Sequence, residues 1–140
     1  MATEYVELHA HSAFSFLEGA SLPEDLASRC AEFGQPAMAV TDRDGVYGAP
    51  RFHLAAKRLG IKALIGAEIN SLKNGRYTLL AESRKGYQNL CRLITRTKFR
   101  DAKPGKPEFS FATEDDFTEF AGGLVCLTGG EEGPLAEVFR

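Results

Sequence analysis

The chain has 140 residues, of which 44% are hydrophobic, and this is enough to form one modest core. A formal net charge of −2 and the lack of a long apolar run argue against a membrane protein, and no signal-like segment opens the chain. Its three cysteines, Cys30, Cys91 and Cys126, are far apart and lie in apolar stretches. They predict buried thiols in a reducing compartment, so the cytoplasm is the expected location.

Strand-like and helix-like segments alternate along the chain, with short links between them. This alternation predicts an α/β fold in which parallel strands alternate with helices, as an open sheet or a barrel. Five strands are too few to close a parallel barrel of seven or eight, so we expect the front part of a larger protein. The expected strands cover residues 5–10, 37–41, 61–69, 77–81 and 124–128. The expected helices follow Ser21, surround Phe52, follow Ser83 and Thr113, and begin at Pro134.

Local signals predict where several helices begin and end. Ser21 and Glu24 have the spacing of a capping box, and Gly34 is a natural stop for the helix that they open. Ser83 is expected to cap a later helix. The apolar face of that helix is predicted to consist of Tyr87, Leu90, Cys91 and Ile94.

A basic segment follows the fourth strand. Lys and Arg dominate residues 84–106, whereas acids dominate residues 108–140. Arg92, Arg96 and Lys98 are expected on the outer face of the helix that Ser83 opens. Two interpretations stay open: a solvated helix face, or a surface that contacts DNA or an acidic neighbouring domain.

Two histidines, His9 and His11, stand at the end of the first predicted strand. Residues i and i+2 of a strand share a face, so the two imidazoles can bind one divalent metal. Taken alone, the pair is equally explained as polar residues leaving a strand. Glu18 and Glu68 add carboxylates, and Glu68 lies at the end of a predicted strand, where α/β folds place their chemistry.

The segment from Thr41 to Gly45 contributes Asp42, a further candidate for the site. The same residues are equally typical of an ordinary turn between a strand and a helix, because Asp and Gly favour loop conformations. A mixed set of imidazoles and carboxylates suits Zn, Mn or Fe, and clusters of such ions activate water for phosphoester cleavage. The Gly-rich segment 129–133 is not a phosphate-binding loop, because its two carboxylates would repel phosphate and no Gly-Lys-Ser/Thr follows.

Several segments, taken in order, resemble the PHP (polymerase and histidinol phosphatase) domain that begins bacterial DNA polymerase III alpha subunits. They read HAHSAFSFLEGA, AVTDRDGVYG and IGAE, followed by GYQNLCRLIT and LTGGE. The combination of FSFLEGAS with DGVYGAPRF is similar to the error-prone, damage-tolerant branch of that family. The resemblance implies that residues 1–140 are the N-terminal part of a PHP domain, the front of a distorted (β/α)7 barrel with a metal cleft.

The resemblance also implies a ligand set that is only partly present. His9, His11, Glu18 and Glu68 match it. Arg43, Arg76 and Gly130 stand where metal-loaded members have His, His and Cys, and two cations in place of ligands oppose a dication cluster.

Two hypotheses follow from this resemblance. The favoured one is a PHP domain whose metal chemistry is weakened, with Zn or Mn held weakly, and whose role is mainly structural within a polymerase that copies damaged DNA. The other is an active metal-dependent phosphoesterase or 3′–5′ proofreading nuclease. The implied partners are the remaining polymerase domains, DNA, and other replication or translesion proteins, with no membrane.

Overall fold

The computed structural model describes residues 5–73, 75–101 and 110–139 of the chain. Within them, five strands form a single curled sheet, and helices fill most of the links between the strands. The strands run in spatial order β1-β2-β3-β4-β5. Their bounds are β1 Glu7–Ala10, β2 Ala37–Arg43, β3 Lys62–Asn70, β4 Arg76–Ala81 and β5 Leu124–Leu127. The helices are α1 Pro23–Glu32, α2 Ala49–Leu59, α3 Arg84–Asp101, α4 Glu114–Phe120 and α5 Pro134–Val138.

The sheet is parallel in its first half only. β1 pairs with β2 and β2 with β3 in parallel, through helical crossovers, as the sequence predicts. β4, in contrast, runs antiparallel to both β3 and β5. The link of residues 71–75 between β3 and β4 is too short for a parallel crossover, which needs a dozen or more residues. The α/β class is therefore confirmed, and the strand order is that of an open half-barrel.

Two apolar clusters pack the helices against the sheet. In the first, Met38 and Val40 of β2 contact Phe52 of α2 and residues of α1. Because successive strand residues alternate faces, Arg43 of β2 and Glu68 of β3 lie on the opposite, open face of the sheet. The second cluster joins β3, β4, α3 and α4 through Ala67, Ile69, Leu79, Leu90, Leu93, Ile94, Ala112 and Phe120.

Most of the predicted helix boundaries are confirmed, including the stop at Gly34, which has a left-handed φ of 66° just after α1. The Ser83 hydroxyl accepts a hydrogen bond from Gly86 N at 3.1 Å, and Thr113 forms a capping box with Asp116. The capping box at Ser21 is wrong: α1 begins at Pro23, and its N-cap residue makes no side-chain hydrogen bond. Glu24, the expected partner, instead makes an ion pair with Arg51 of α2.

The three cysteines are free thiols, but their burial differs from the expectation. Cys30 is buried in the first cluster, Cys91 is half-buried, and Cys126 is exposed on β5, which lies at the edge of the sheet. Among the described residues, the helices are all too short or too polar to cross a bilayer.

Candidate metal centre

The two histidines lie at the open face of the sheet, as the sequence predicts. His9 is on β1 and His11 follows directly after it, with their ring centroids 5.4 Å apart and the rings nearly perpendicular. The strand therefore presents two imidazoles to one cleft. Gly129 to Gly133 form the facing wall of this cleft, which has a volume of about 250 Å³.

Glu68 lies between the two imidazoles. Its Oε1 is 2.5 Å from His9 Nε2, and its Oε2 is 3.1 Å from His11 Nε2. The side chain is only 6% exposed. Burial raises the pKa of Glu68, but the close approach of His11 and His9 outweighs this and lowers the pKa to about 2. The carboxylate in turn raises the pKa of His11, against the opposing effect of burial.

This imidazole–carboxylate cluster (His9, His11 and Glu68) has the size of a site for one ion. One ligand atom from each residue lies within 4.8 Å of the other two. Two buried atoms, His11 Nε2 and Glu68 Oε2, have no hydrogen-bond partner of acceptable geometry among the described residues. Buried polar atoms normally have partners, so both atoms are suited to a cation between them.

Glu18, the fourth predicted ligand, is held by arginines. Its Oε1 lies 2.6 Å from Arg43 Nη1 and 3.1 Å from Arg76 Nη2. His11 Nδ1 is farther away, at 3.7 Å from Glu18 Oε2. Arg76 Nη1 also donates to Glu18 Oε2 at 3.3 Å. The arginine pair (Arg43 and Arg76) therefore contacts both oxygens of Glu18, the carboxylate that would complete a larger ligand set.

Arg76 links three parts of the cleft. Besides Glu18, its Nη1 lies 3.5 Å from Glu68 Oε2 and 3.2 Å from Glu132 Oε2. Its backbone N also donates to the Glu132 carbonyl at 2.7 Å. The sequence places Arg76 at the start of the fourth strand, but Glu132 was not foreseen, because only the antiparallel β4–β5 pairing brings its loop to Arg76.

Gly130 lines the same cleft at the position where the resemblance implies a Cys. A β carbon added at Gly130 would meet nothing within 4 Å, so the backbone leaves space for a side chain. The site therefore has room for a Cys side chain at this position, but the residue present is Gly.

Asp42 anchors the loop of residues 12–19. It is 1% exposed, and its carboxylate accepts hydrogen bonds from Ser12 N at 2.7 Å, Ser12 Oγ at 2.8 Å and Ser15 Oγ at 2.8 Å. Arg43 N donates to Ser15 Oγ at 3.1 Å. The hydrogen bonds that the Asp42 carboxylate accepts therefore position the loop that carries Glu18. Ser12 and Ser15 were not singled out from the sequence.

The three cations proposed from the sequence to contact nucleic acid do not share one surface. Arg96 makes a bidentate ion pair with Glu119, at 2.5 and 3.0 Å. Lys98 lies on another side of α3, with its Nζ 5.6 Å from the centre of the Tyr47 ring. Arg92 is exposed on α3. Lys103 and Lys106 of the basic segment lie outside the described residues.

The curled sheet and its cleft define an α/β domain whose imidazoles and carboxylates gather at strand ends. The family model of the PHP domain matches residues 7–140, and the chain belongs to this family. Arg43, Arg76 and Gly130 therefore mark where this member departs from the implied ligand set.

Curated relatives that match the chain are much longer polymerases. The error-prone DNA polymerase of Mycobacterium bovis is 41% identical over 144 residues, covering 95% of this chain and 13% of that protein. The error-prone DNA polymerase of Anaeromyxobacter sp. is 47% identical over 112 residues, covering 76% and 10%. The DNA polymerase III subunit alpha of Buchnera aphidicola is 35% identical over 143 residues, covering 96% and 12%. The chain thus spans about an eighth of the length of these relatives.

Solved structures agree on the fold. A structure described as a metal-dependent phosphoesterase from Bifidobacterium adolescentis has a TM-score of 0.52 at 19% identity, covering 84% of this chain and 43% of that one. An amidohydrolase from Chromobacterium violaceum has a TM-score of 0.56 at 19% identity, covering 86% and 65%. At this identity the likeness concerns the fold alone.

Proposed function

We propose that residues 1–140 are the N-terminal part of the PHP domain of an error-prone DNA polymerase III alpha subunit, which acts in the cytoplasm in replication past damage and in DNA repair. Identities of 35–47% to polymerases of this kind support the proposal. The chain corresponds to 10–13% of their length, so the nucleotidyl transfer itself belongs to the remainder of such a polypeptide. Its partners are the remaining polymerase domains, the DNA that they hold, and other replication or translesion proteins.

We propose further that the cleft has a mainly structural role. The observation that carries this is the convergence of Arg43 and Arg76 on Glu18, at 2.6 and 3.1 Å. Two unit charges at about 4 Å repel by about 4 kcal/mol at an effective dielectric constant near 20, and a divalent ion doubles this repulsion. The arginine pair therefore supplies the positive charge that a metal cluster would otherwise bring to the carboxylates, and it opposes binding of a second or third ion.

His9, His11 and Glu68 would hold a single Zn or Mn ion, and its affinity would be weak. Such an ion, when bound, supplies Lewis-acid activation of water or of a phosphoryl oxygen. Glu68, ionised at neutral pH, accepts a hydrogen bond from His9 Nε2 and lies 3.1 Å from His11 Nε2. Arg76 pairs with both oxygens of Glu18, which lies 3.7 Å from His11 at the edge of the cluster.

A second candidate function is an active metal-dependent phosphoesterase or 3′–5′ proofreading nuclease. It is favoured by the buried atoms His11 Nε2 and Glu68 Oε2, which have no hydrogen-bond partner among the described residues. An active site of this kind would need only the imidazole–carboxylate cluster and one ion.

An assay on the full-length polypeptide separates the two candidates. We expect it to extend a primer on intact template and past an abasic site, and to remove 3′ nucleotides from a mismatched primer only at background rate. The His11→Ala variant should leave both rates unchanged within about twofold, since the cluster performs no chemistry. Hydrolysis that requires metal and disappears in His11→Ala would establish the nuclease instead. Absence of primer extension would refute the polymerase assignment.

Contact between α3 and DNA is a proposal of smaller scope. Because Arg96 is paired with Glu119, we propose that Arg92 carries most of any phosphate contact on this face. Neutralising one phosphate changes the log–log salt slope of binding by about 0.9 for duplex DNA, so Arg92→Glu should reduce the slope by about one. If Arg92→Glu leaves the salt slope of DNA binding unchanged, this face of α3 is solvated and does not contact DNA.

A further inference from the structure

Asp44, the residue that follows β2, has an unusual backbone conformation. Its φ is 49°, in the left-handed region that residues with a β carbon rarely adopt, although Asp and Asn tolerate it better than most. Asp44 belongs to the segment from Thr41 to Gly45, which the sequence leaves open as a turn or as part of a site. A conformation of this kind persists only where its surroundings fix it, and it concentrates at functional sites.

Asp44 holds the end of β3 at two points. Its backbone N donates to the Glu68 carbonyl at 2.8 Å, just beyond the Arg43–Glu68 pair at which the β2–β3 ladder ends. Its carboxylate oxygen Oδ2 accepts a hydrogen bond from Asn70 Nδ2 at 3.0 Å. Asn70 is only 7% exposed, so this contact is largely shielded from water. Asp44 therefore holds the two residues that flank Ile69, and one of them is Glu68 of the imidazole–carboxylate cluster.

The contact between Asp44 and Asn70 also lies beside the arginine pair. Arg43 immediately precedes Asp44, and Asn70 pairs with Arg76 across β3 and β4. Burial raises the pKa of the Asp44 carboxyl, and the hydrogen bond from Asn70 opposes this rise. The charges of Lys98 and of the arginine pair oppose it too, so all three cations act on Asp44. Asp44 thus connects the end of β3 with the arginine pair as well as with β2.

The position of Glu68 decides whether the cluster can share one ion. His9 and His11 come from the end of β1 and Glu68 comes from β3, so their ligand atoms meet only while both strand ends keep their places. Metal ligands must be held to within about 0.5 Å, and loss of a residue that orients a ligand typically lowers metal affinity by about 10- to 100-fold. An ordinary turn would need the left-handed backbone alone, whereas Asp44 adds a shielded hydrogen bond through its carboxylate.

We propose that Asp44 is a positioning residue of the metal centre: its hydrogen bonds with Glu68 and Asn70 hold the Glu68 carboxylate where the two imidazoles can share an ion with it. This inference rests on the proposed function, because it requires the single-ion site. Asp44 contacts no ion itself and acts through the backbone of Glu68, with Asn70 as its partner. Its replacement therefore changes metal affinity while every ligand stays in the chain.

The Zn affinity of the purified chain, measured by competition with a weak chromogenic chelator, tests the proposal. Asp44→Gly keeps the left-handed backbone and its N–H but removes the carboxylate, so the affinity should fall about tenfold or more. Asp44→Asn tolerates the same backbone and keeps an acceptor oxygen for Asn70, so it should stay within about threefold of the wild type. Ser83→Ala, which removes the cap of α3 and no residue of the cleft, is the control for a general loss of stability.

Two further measurements separate positioning from a local turn. Asn70→Ala should lower the Zn affinity as much as Asp44→Gly does, and the double variant should lower it no further, because both changes remove the same contact. Without metal, Asp44→Gly should speed amide exchange of residues 68–70 on the order of tenfold, because the end of β3 opens more often. Asp44→Asn and Ser83→Ala should leave this exchange unchanged.

The outcomes distinguish the role of Asp44 from the site that it serves. If Asp44→Gly binds Zn as tightly as the wild type, or no more weakly than Ser83→Ala does, Asp44 is a turn residue and the proposal fails, even where amide exchange becomes faster. A wild-type chain that binds no Zn in the competition would remove the single-ion site itself, and the role of Asp44 with it. The polymerase assignment is judged separately by primer extension and can stand in either case.

Discussion

Arg76 and Glu18 are 58 positions apart in sequence, yet Arg76 Nη2 lies 3.1 Å from Glu18 Oε1. This contact ties the loop after β1 to the first residue of β4. Arg43 joins it from β2, so three elements of the half-barrel meet in one group of charges. The same contact engages the Glu18 carboxylate beside the imidazole–carboxylate cluster, and it therefore bears on both stability and metal binding.

Arg76→Met should destabilise the domain by roughly 1–3 kcal/mol, since it leaves Glu68, with a side chain only 6% exposed, short of a positive neighbour. Urea denaturation measures the change in the free energy of unfolding. Arg51→Met is the matched control: its partner Glu24 and Arg51 itself are both more than 40% exposed, so the loss should stay below about 1 kcal/mol. Equal losses in the two variants would contradict a structural role for the cleft.

Asp42→Asn should loosen the loop of residues 12–19 and leave the sheet in place. The neutral amide offers one acceptor oxygen in place of two, and it brings an N–H toward Ser12 or Ser15. We expect a loss of about 1–3 kcal/mol. Amide exchange should become faster in the loop and stay unchanged in β3. If the loop amides exchange as slowly as in the wild type, Asp42 is not its anchor.

The ion pair of Arg100 with Asp116 predicts a pH dependence of stability. Arg100 lowers the pKa of Asp116, and the Thr113 backbone and hydroxyl lower it further, against the opposing effect of burial. A depressed folded-state pKa contributes stability that is present above the unfolded value, near 3.9, and is lost as the pH falls below it.

Denaturation at a series of pH values below about 5 measures this contribution. The Asp116→Asn variant should lose stability at neutral pH and show a flatter decline in acid than the wild type. Glu119→Gln, which changes an exposed carboxyl on the same helix, serves as the control and should keep the acid decline. If stability declines with falling pH in the same way in Asp116→Asn and in the wild type, the ionisation of Asp116 does not cause the decline.

Much of the fold follows from local sequence signals. Ser83 and Thr113 cap helices because their hydroxyls meet nearby backbone amides, and this depends on the adjacent residues alone. The direction of β4 was missed because alternating apolar runs do not distinguish a hairpin from a crossover. The link of residues 71–75 does distinguish them, because it is too short for a crossover, and its length could have predicted the hairpin.

The site was predictable as a set of residues but not as a geometry. His9 and His11 share a face through strand alternation, and the end of β3 brings Glu68 to them. That Glu18 binds arginines and that Arg76 reaches Glu132 depends on tertiary packing across the sheet. Sequence spacing carries no information on such contacts.

Metal stoichiometry tests the central claim, that the arginine pair replaces a metal cluster. The purified chain is incubated with Zn or Mn, dialysed, and analysed by elemental mass spectrometry. The comparison is with Arg43→His plus Arg76→His, which removes both cations and adds two imidazoles, and with Arg51→His as control. We predict less than one ion per chain in the wild type and in the control, and a clear gain in the double variant. Two or more tightly held ions in the wild type, or no gain in a folded double variant, would contradict the account.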